Sequence, residues 1–221
     1  MKICTLIPVR SGSKGIPHKN IALIDNKPLM SYAITASVNS KVNRTFISTD
    51  SDEYAAIAKE YKSEVIMRPD NISIDSASSE DVLLHFANKI NFDILVFMQA
   101  TSPLTSSEDI NNCIDMMDEY DSVLSVCSNH GGWLCGGFTW EDNFPKFGAA
   151  GNYNINDRPR RQDMDPSYRE NGALYVTTKK ALLMSKCRLS GKIGLYIMPR
   201  QRSFEIDEPE DLDEIRKLYE K

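Results

Sequence analysis

The sequence lacks the features of several protein classes. None of its 221 residues lie in an apolar run that approaches the ~20 residues of a membrane span. The short run ICTLIPV near the start leads into charged sequence, which is not the pattern of a secretory signal peptide. The five cysteines form no CxxC pair and no metal-like spacing, so we expect reduced, buried thiols. These observations predict a cytoplasmic protein that does not associate with a membrane.

An excess of positive charge is also missing. The net charge is -5, whereas a general nucleic-acid binder needs a basic face to displace the counterions of the phosphate backbone. We therefore expect no nucleic-acid partner, and any anion site must be local. Neither GxGxxG nor GxxxxGK[ST] occurs, which disfavours a dinucleotide-binding dehydrogenase and a P-loop nucleotidase.

Strand-like and helix-like segments alternate along most of the chain. ICTLIPV, RTFIS, EVIM, DILVFMQA and DSVLSVC have the composition of buried strands, and helical spacing of apolar residues follows each of the first four. Such alternation implies crossover connections and a mostly parallel sheet covered by helices on both faces. The sequence thus predicts a three-layer α/β fold, in a single domain over residues 1–221.

The texture changes at residue 131. The segment GGWLCGGFTWEDNFPKFGAAG is rich in glycine and aromatic residues and has little helical periodicity. We expect an irregular or hairpin excursion from the sheet over residues 131–165. The strand and helix pattern then resumes with ALYVTT, KKALLMSK and IGLYIMP, and the chain ends on the amphipathic helical segment EPEDLDEIRKLYEK.

The loop after the first strand, IPVRSGSKGIPHKN, is basic and glycine-rich. It carries Arg10, Lys14 and Lys19, with glycines that let backbone N–H groups turn towards an anion. In an open parallel sheet this loop borders the crevice in which ligands bind. These groups favour a polyphosphate as the ligand. The alternative interpretation is a solvated basic turn that binds no ligand.

Six blocks, in order, resemble one family. They are RSGSKGIPHKN, ISTDS, RPDNISIDSASSEDV, LVFMQATSPL, RPRRQDMDPSYRENGALYV and IDEPEDL. Together these blocks resemble the acylneuraminate cytidylyltransferases, the CMP-sugar synthetases that activate sialic acids. The resemblance implies a Rossmann-like nucleotidyltransferase sheet and a reaction in which CTP and a nonulosonic sugar acid give the CMP-sugar and pyrophosphate. The anomeric hydroxyl attacks the α-phosphate directly, so no serine or cysteine nucleophile is required.

The same resemblance implies roles for individual residues on the nucleotide side. Arg10, Lys19 and Asp207 are the expected catalytic residues. The expected nucleotide-binding residues are Arg10, Ser13, Lys14, Gly15, Lys19, Asn20, Arg68, Ala77 and Ser79.

A magnesium site is expected at the segment SFEID. The family pairs two acids at i and i+2 there, and this chain offers Glu205 and Asp207. In a strand that spacing points both side chains to one face, and Mg²⁺ usually takes one or two carboxylates, with phosphate and water as its other ligands. Mn²⁺ is an expected substitute. Glu205 stands where the family has aspartate, and a helix cap is the alternative role for Asp207.

On the sugar side, the resemblance implies Gln99, Arg161, Arg169, Asn171 and Tyr175. Arg161 matches an arginine that binds the sugar carboxylate from the neighbouring subunit, which implies a homodimer joined through the 131–165 excursion. A guanidinium suits a carboxylate because it offers two parallel donors.

Two departures bear on which sugar is bound. The segment SNHGGWLC lacks an expected lysine, and CRL stands where the sialic acid enzymes place a pair of aromatic residues. N-acetylneuraminic acid is the single substrate we favour, with legionaminic or pseudaminic acid as alternatives. An alternative of another class is a nucleotide-binding regulator that has lost catalysis.

Overall fold

The computed structural model describes most of the chain. The described residues are 1–129, 134–135, 138–141, 144–147, 150–151, 157, 159–164 and 166–219.

The strands and helices follow one another in the predicted order. The strands are β1 (Ile3–Pro8), β2 (Leu23–Ile24), β3 (Lys27–Pro28), β4 (Arg44–Thr49), β5 (Glu64–Met67), β6 (Ile94–Met98), β7 (Ser122–Asn129), β8 (Leu134–Cys135), β9 (Phe138–Glu141), β10 (Phe144–Phe147), β11 (Ala150–Gly151), β12 (Ser167–Thr178) and β13 (Ile193–Ile197). The helices are α1 (Leu29–Val38), α2 (Asp52–Glu60), α3 (Ser79–Lys89), α4 (Ser107–Asp115), α5 (Lys179–Ser185) and α6 (Pro209–Tyr219).

Seven strands form the main sheet in the order β13-β7-β12-β6-β1-β4-β5. Neighbouring strands run parallel except at β12, which is antiparallel to both β6 and β7. The predicted mostly parallel sheet is confirmed. Strand β12 begins at Ser167, well before the apolar segment ALYVTT, because its polar first half pairs with the end of β7. Sequence periodicity did not predict this extension.

Two apolar layers flank the sheet, which confirms the predicted three-layer arrangement. Alternate residues of each strand face opposite layers, as strand geometry requires. Helices α1, α2 and α4 pack on one face, with Met30, Tyr54 and Ile110 among their buried residues. Helices α3 and α5 pack on the other, through residues such as Phe86 and Leu182. Helix α6 belongs to a smaller third cluster.

Side-chain caps fix where four helices begin, and Thr178 is the cap of α5. Ser51, Ser78 and Ser106 each accept a hydrogen bond from a backbone N–H of the first turn. Ser78 and Ser106 form full capping boxes with Asp81 and Asp109, whose carboxylates accept a hydrogen bond from the backbone N–H of the cap residue. The S-x-x-D spacing in the sequence encodes these two starts, and the first of them borders the candidate site.

The excursion contains paired strands. β9 and β10 form an antiparallel hairpin, and β8 pairs with β11. Cys4, Cys113 and Cys127 are buried free thiols. Within the part of the chain that the structure describes, no helix is long and apolar enough to cross a membrane.

Candidate active site

A cavity of about 250 Å³ opens at the carboxyl ends of the central strands. This is the edge at which open α/β sheets bind ligands. Eight of the residues predicted from the sequence line it: Arg10, Ser13, Lys19, Asn20, Arg68, Ala77, Ser79 and Gln99. Pro8, Ser78, Val82 and Thr101 complete the lining. The structure therefore brings residues from three separate sequence blocks to one place.

The basic loop is held in shape from both sides. At its start, the backbone N–H and the hydroxyl of Ser11 donate to the Asp50 carboxylate, at 2.8 and 3.0 Å. Near its end, the buried Asn20 side chain donates to the carbonyl oxygen of Arg10 at 3.1 Å. Asn20 therefore closes the loop on itself, in addition to lining the cavity.

Gly15 lies against the segment that carries the predicted metal ligands. A Cβ placed on Gly15 would lie 2.9 Å from the backbone oxygen of Asp207, closer than real Cβ atoms approach. Only glycine permits this approach without a shift of one backbone or the other. The contact fixes the spacing between the basic loop and residues 205–207.

Lys19 contacts the same segment. Its Nζ donates to the carbonyl oxygen of Ile206 at 2.7 Å and lies 3.3 Å from Oδ1 of Asp207. The Lys19 side chain is 13% exposed, so the ammonium group is partly withdrawn from water at the cavity lining. A cation so placed can neutralise anionic groups on a ligand and on the neighbouring carboxylates.

Arg10 and Lys14 share one carboxylate that sequence reasoning missed. The guanidinium of Arg10 and the ammonium of Lys14 both contact Asp75, the latter at 2.7 Å. Asp75 lies within the block RPDNISIDSASSEDV, but nothing in its spacing indicates a partner 65 positions away. Lys14 does not line the cavity, although its partner Arg10 does.

Arg68 forms part of the cavity lining rather than a free cation. It is buried, and its guanidinium donates to the hydroxyl of Ser48 at 3.2 Å and to the Ser48 carbonyl at 2.8 Å. Burial lowers the pKa of Arg68, and the nearby Arg10 lowers it further, against the opposing effect of Asp50.

Glu205 and Asp207, the expected metal ligands, lie in an irregular segment before α6 rather than in a strand, so the strand argument for their orientation does not apply. Burial raises the pKa of Glu205, and the negative charge of Asp207 raises it further. The Thr101 hydroxyl donates to Glu205 Oε1 at 3.3 Å and partly offsets these effects. The Glu205 carboxylate packs against Gly172, whose missing side chain leaves room for the longer acid. The φ of +70° at Gly172 also favours glycine. Two hard oxygen donors beside a polar cavity fit Mg²⁺, which takes its other ligands from phosphate and water.

The described residues contain no cluster of three or more histidine, cysteine, aspartate or glutamate side chains arranged for a metal. A magnesium ion that binds together with a nucleotide usually takes only one or two carboxylates, so this absence is compatible with the pair at 205 and 207.

Asn171 organises a bulge in β12. The register with β7 shifts between Glu170 and Tyr175. The Asn171 amide fills this irregularity: its oxygen accepts from Ser125 at 2.6 Å, and its nitrogen donates to Ser203 at 2.9 Å. Asn171 is buried and does not line the cavity, so its described contacts are structural. Its predicted contact with the sugar stays a prediction.

The other predicted sugar residues lie in different settings. The buried Tyr175 hydroxyl donates to Glu170, and burial raises the pKa of that hydroxyl. The guanidinium of Arg188, from the segment CRL, stacks over the Tyr175 ring at 4.8 Å. Arg169 is exposed on β12 and close enough to lower the pKa of Glu205. The Arg161 side chain lies outside the described residues, as do the contacts of much of the excursion.

Comparison with known proteins places the chain in one family. Residues 4–221 match the model of a family described as cytidylyltransferase. The chain is 35% identical over 208 residues to N-acylneuraminate cytidylyltransferase B of Danio rerio, covering 91% of this chain and 48% of that protein. It is 30% identical over 229 residues to N-acylneuraminate cytidylyltransferase of Streptococcus agalactiae serotype V, covering 96% and 52%. The resemblance found in the sequence is confirmed. The chain spans about half the length of these curated relatives.

Solved structures share the fold. One, with a TM-score of 0.75 and 17% identity, is a CMP:2-keto-3-deoxy-manno-octonic acid synthetase complexed with CTP; the match covers 99% of this chain and 98% of that one. Another, with a TM-score of 0.70 and 11% identity, is a 4-diphosphocytidyl-2C-methyl-D-erythritol synthase from Anaerococcus prevotii, with 100% and 99% covered. At these identities the similarity concerns the fold alone, and it agrees with the predicted α/β sheet.

Proposed function

The chain belongs to the cytidylyltransferase family, and we propose that it transfers CMP from CTP to the anomeric hydroxyl of a nonulosonic sugar acid, releasing pyrophosphate. The names of the relatives at 30–35% identity support the sugar-acid class. The observation that carries the proposal is the cavity itself, where eight residues expected to bind nucleotide and sugar meet at the carboxyl edge of the sheet.

Charge neutralisation and positioning are the chemistry that these residues offer. The sugar hydroxyl oxygen bonds to the α-phosphorus while the bond from that phosphorus to the β-phosphate oxygen breaks, and the hydroxyl proton passes to solvent or a nearby base. Negative charge then builds up on the phosphorus centre and the departing pyrophosphate. Arg10, Lys14 and Lys19 are the cations that stabilise this charge, and a fixed cation in a partly dry site contributes more than one in water.

We propose Asp207 and Glu205 as the residues that hold Mg²⁺, with Mn²⁺ able to substitute. Bound there, the ion supplies a further positive charge that polarises the phosphates. Asp207 contacts Lys19, so the residue that would hold the ion lies next to a cation that would contact the phosphates. Burial and the charge of Asp207 raise the pKa of Glu205, and a bound cation would offset both effects.

Among nonulosonic acids we favour N-acetylneuraminic acid, with legionaminic and pseudaminic acids as alternatives. The relatives' names support the first. Arg188 supports the alternatives, because it stands in the segment where an aromatic pair is expected, and its guanidinium stacks on the Tyr175 ring. We further propose a homodimer in which Arg161 serves the neighbouring subunit, and a cytoplasmic location, in keeping with the buried free thiols.

A pyrophosphate-release assay tests the reaction and the substrate together. The protein is incubated with CTP, Mg²⁺ and one acid at a time: N-acetylneuraminic, legionaminic, pseudaminic or 3-deoxy-manno-octulosonic acid. We expect pyrophosphate release with a nonulosonic acid and faster release with CTP than with UTP. Mass spectrometry should detect the CMP-sugar. The Lys19→Ala variant is the control for a contaminating enzyme.

Two results would overturn the proposal. Calorimetric binding of CTP without pyrophosphate release from any acid would instead support a nucleotide-binding regulator. Binding of NADH in preference to CTP would support a dinucleotide enzyme.

A further inference from the structure

Asp75 bridges the two outer cations of the basic loop. Its Oδ1 contacts the Arg10 guanidinium, and its Oδ2 lies 2.7 Å from Lys14 Nζ. Hydrogen bonds from Lys14 and then from Arg10 hold the pKa of Asp75 below its usual range. The carboxylate is therefore ionised at neutral pH and occupies cations that a polyphosphate would also use.

These two contacts also tie the segment 70–77 to the rest of the molecule. Its other hydrogen bonds are local, such as Ser73 to Pro69 at 2.9 Å and Ala77 to Ile74 at 3.1 Å. Within the described part of the chain, the polar contacts between residues 70–77 and segments distant in sequence all pass through Asp75.

The tie joins two sides of the candidate site. Arg10 and Ser13 line the cavity from the basic loop, whereas Ala77 and Ser78 line it from the end of the 70–77 segment. A change in the partners of Asp75 therefore changes the constraint between these two sides.

The contacts are of the kind that a stronger anion displaces. The side chains of Arg10, Lys14 and Asp75 are 33%, 77% and 44% exposed. Exposed ion pairs contribute little to stability, because water screens the charges and two long side chains must be ordered. A triphosphate carries several negative charges and many acceptor oxygens, so it competes well with a single carboxylate for both cations.

We propose that Asp75 is an exchangeable counter-ion: in the free protein it occupies Arg10 and Lys14, and the phosphates of the incoming nucleotide replace it, releasing the 70–77 segment from the basic loop. This inference rests on the proposed binding of a nucleotide triphosphate. It adds that nucleotide binding is coupled to the freedom of one side of the site, and that Asp75 weakens the affinity for polyphosphates.

Calorimetry on Asp75→Asn tests the competition. The titrants are inorganic tripolyphosphate and CTP. The matched control is Asp70→Asn, which removes the same charge from an exposed aspartate of the same segment that makes no ion pair among the described residues. We expect Asp75→Asn to bind tripolyphosphate about 5-fold more tightly than Asp70→Asn, from the loss of two exposed ion pairs in the free state. Asp75→Glu should bind as the wild type does.

Equal affinities in the two asparagine variants, or weaker binding by Asp75→Asn, would overturn the inference. Weaker binding would instead make Asp75 a residue that orders the cations for the ligand. Thermal unfolding of all variants checks that the fold is retained.

A second measurement follows the carboxylate directly. With ¹³C-labelled aspartate, the Asp75 carboxyl resonance, assigned through the Asp75→Asn variant, gives its pKa with and without tripolyphosphate. We expect the pKa to rise when the ligand binds, because the carboxylate loses its cations and faces phosphate charge. An unchanged pKa at saturating ligand would contradict the exchange.

The two proposals fail separately. Tighter tripolyphosphate binding by Asp75→Asn, without CMP transfer to any acid, would support the counter-ion role of Asp75 and contradict the proposed reaction. CMP transfer by the wild type, with equal tripolyphosphate affinity in the two asparagine variants, would support the proposed reaction and contradict the counter-ion role of Asp75.

Discussion

Lys19 and Asp207 are separated by 188 positions in the chain and contact each other at 3.3 Å. The same ammonium group donates to the Ile206 carbonyl at 2.7 Å. The basic loop after the first strand is thus joined to the last segment before the final helix. A predicted phosphate ligand that lines the cavity therefore contacts a predicted metal ligand that is not part of the lining.

Replacement of Lys19 tests that position. We expect Lys19→Ala to lower turnover by a factor of about 100 or more, because one transition-state charge contact typically contributes roughly 3 kcal/mol. Steady-state kinetics gives the loss, and Lys27→Ala, which removes an exposed lysine of β3, is the control. Unchanged turnover with normal thermal melting would remove Lys19 from the catalytic residues.

The close approach of Gly15 to Asp207 predicts a steric effect. Gly15→Ala should lower the free energy of unfolding by about 1–3 kcal/mol, since the new methyl group forces the backbones apart. In Gly12→Ala the nearest atom is the end of the flexible Arg10 side chain, at 3.9 Å. Thermal unfolding of the two variants should therefore differ clearly. Equal melting temperatures would mean that the 205–207 segment moves away from the new methyl group without loss of stability.

Metal dependence tests Glu205 and Asp207. Activity should vanish in EDTA and return with Mg²⁺ or Mn²⁺. Asp207→Asn should raise the Mg²⁺ concentration needed for half-maximal rate by about tenfold or more, because a neutral amide is a poorer ligand for a hard cation. Glu205→Asp should keep most of the activity. A normal Mg²⁺ titration in Asp207→Asn would show that the metal has other ligands.

The ion pair between Asp109 and Arg202 predicts a pH-dependent contribution to stability. The Asp109 side chain is fully buried in α4, and Arg202 donates to both of its oxygens, at 2.7 and 2.9 Å. Burial alone would raise the pKa of Asp109, but hydrogen bonds from Arg202, Ser106 and Tyr196 outweigh it and hold the pKa low. A carboxyl with a lowered pKa stabilises the fold above its unfolded pKa, about 4, and loses this contribution as the pH falls through its folded pKa.

Arg202→Gln should therefore destabilise the protein at pH 7 by about 2 kcal/mol, a value reduced because Arg202 is partly exposed. The difference from wild type should shrink as the pH falls below about 4. Urea unfolding at several pH values gives both quantities. Arg200→Gln, an exposed arginine in the same turn, is the control and should leave stability unchanged. A difference that stays constant with pH would mean that Asp109 is not the titrating partner.

Subunit mixing tests the proposed role of Arg161. Arg161→Ala and Lys19→Ala should each be nearly inactive alone. If Arg161 serves the neighbour, mixed two-fold dimers have one site with both lesions and one intact site. Random pairing makes half the dimers mixed, so activity should recover towards roughly a quarter of wild type. No recovery in subunits that light scattering shows to have exchanged would place Arg161 in its own chain's site, or outside the site.

The sequence by itself determined the layers and the site's location. Apolar periodicity and S-x-x-D caps are local signals, so the strands, helices and helix starts could be predicted from neighbouring residues. The glycines and cations of residues 7–20 identified an anion-binding loop for the same reason. Ordered sequence blocks then indicated the family and most of the residues that line the cavity.

Only the tertiary structure decided which of these residues contact one another. That Asp75 bridges Arg10 and Lys14, that Gly15 lies against Asp207, and that Asn171 fills a bulge beside Ser203 could not be predicted from spacing. Each contact joins segments that are distant in sequence and meet only where strands and loops pack together. The partners of a side chain depend on that packing, whereas its tendency to form a strand, helix or turn depends on its neighbours along the chain.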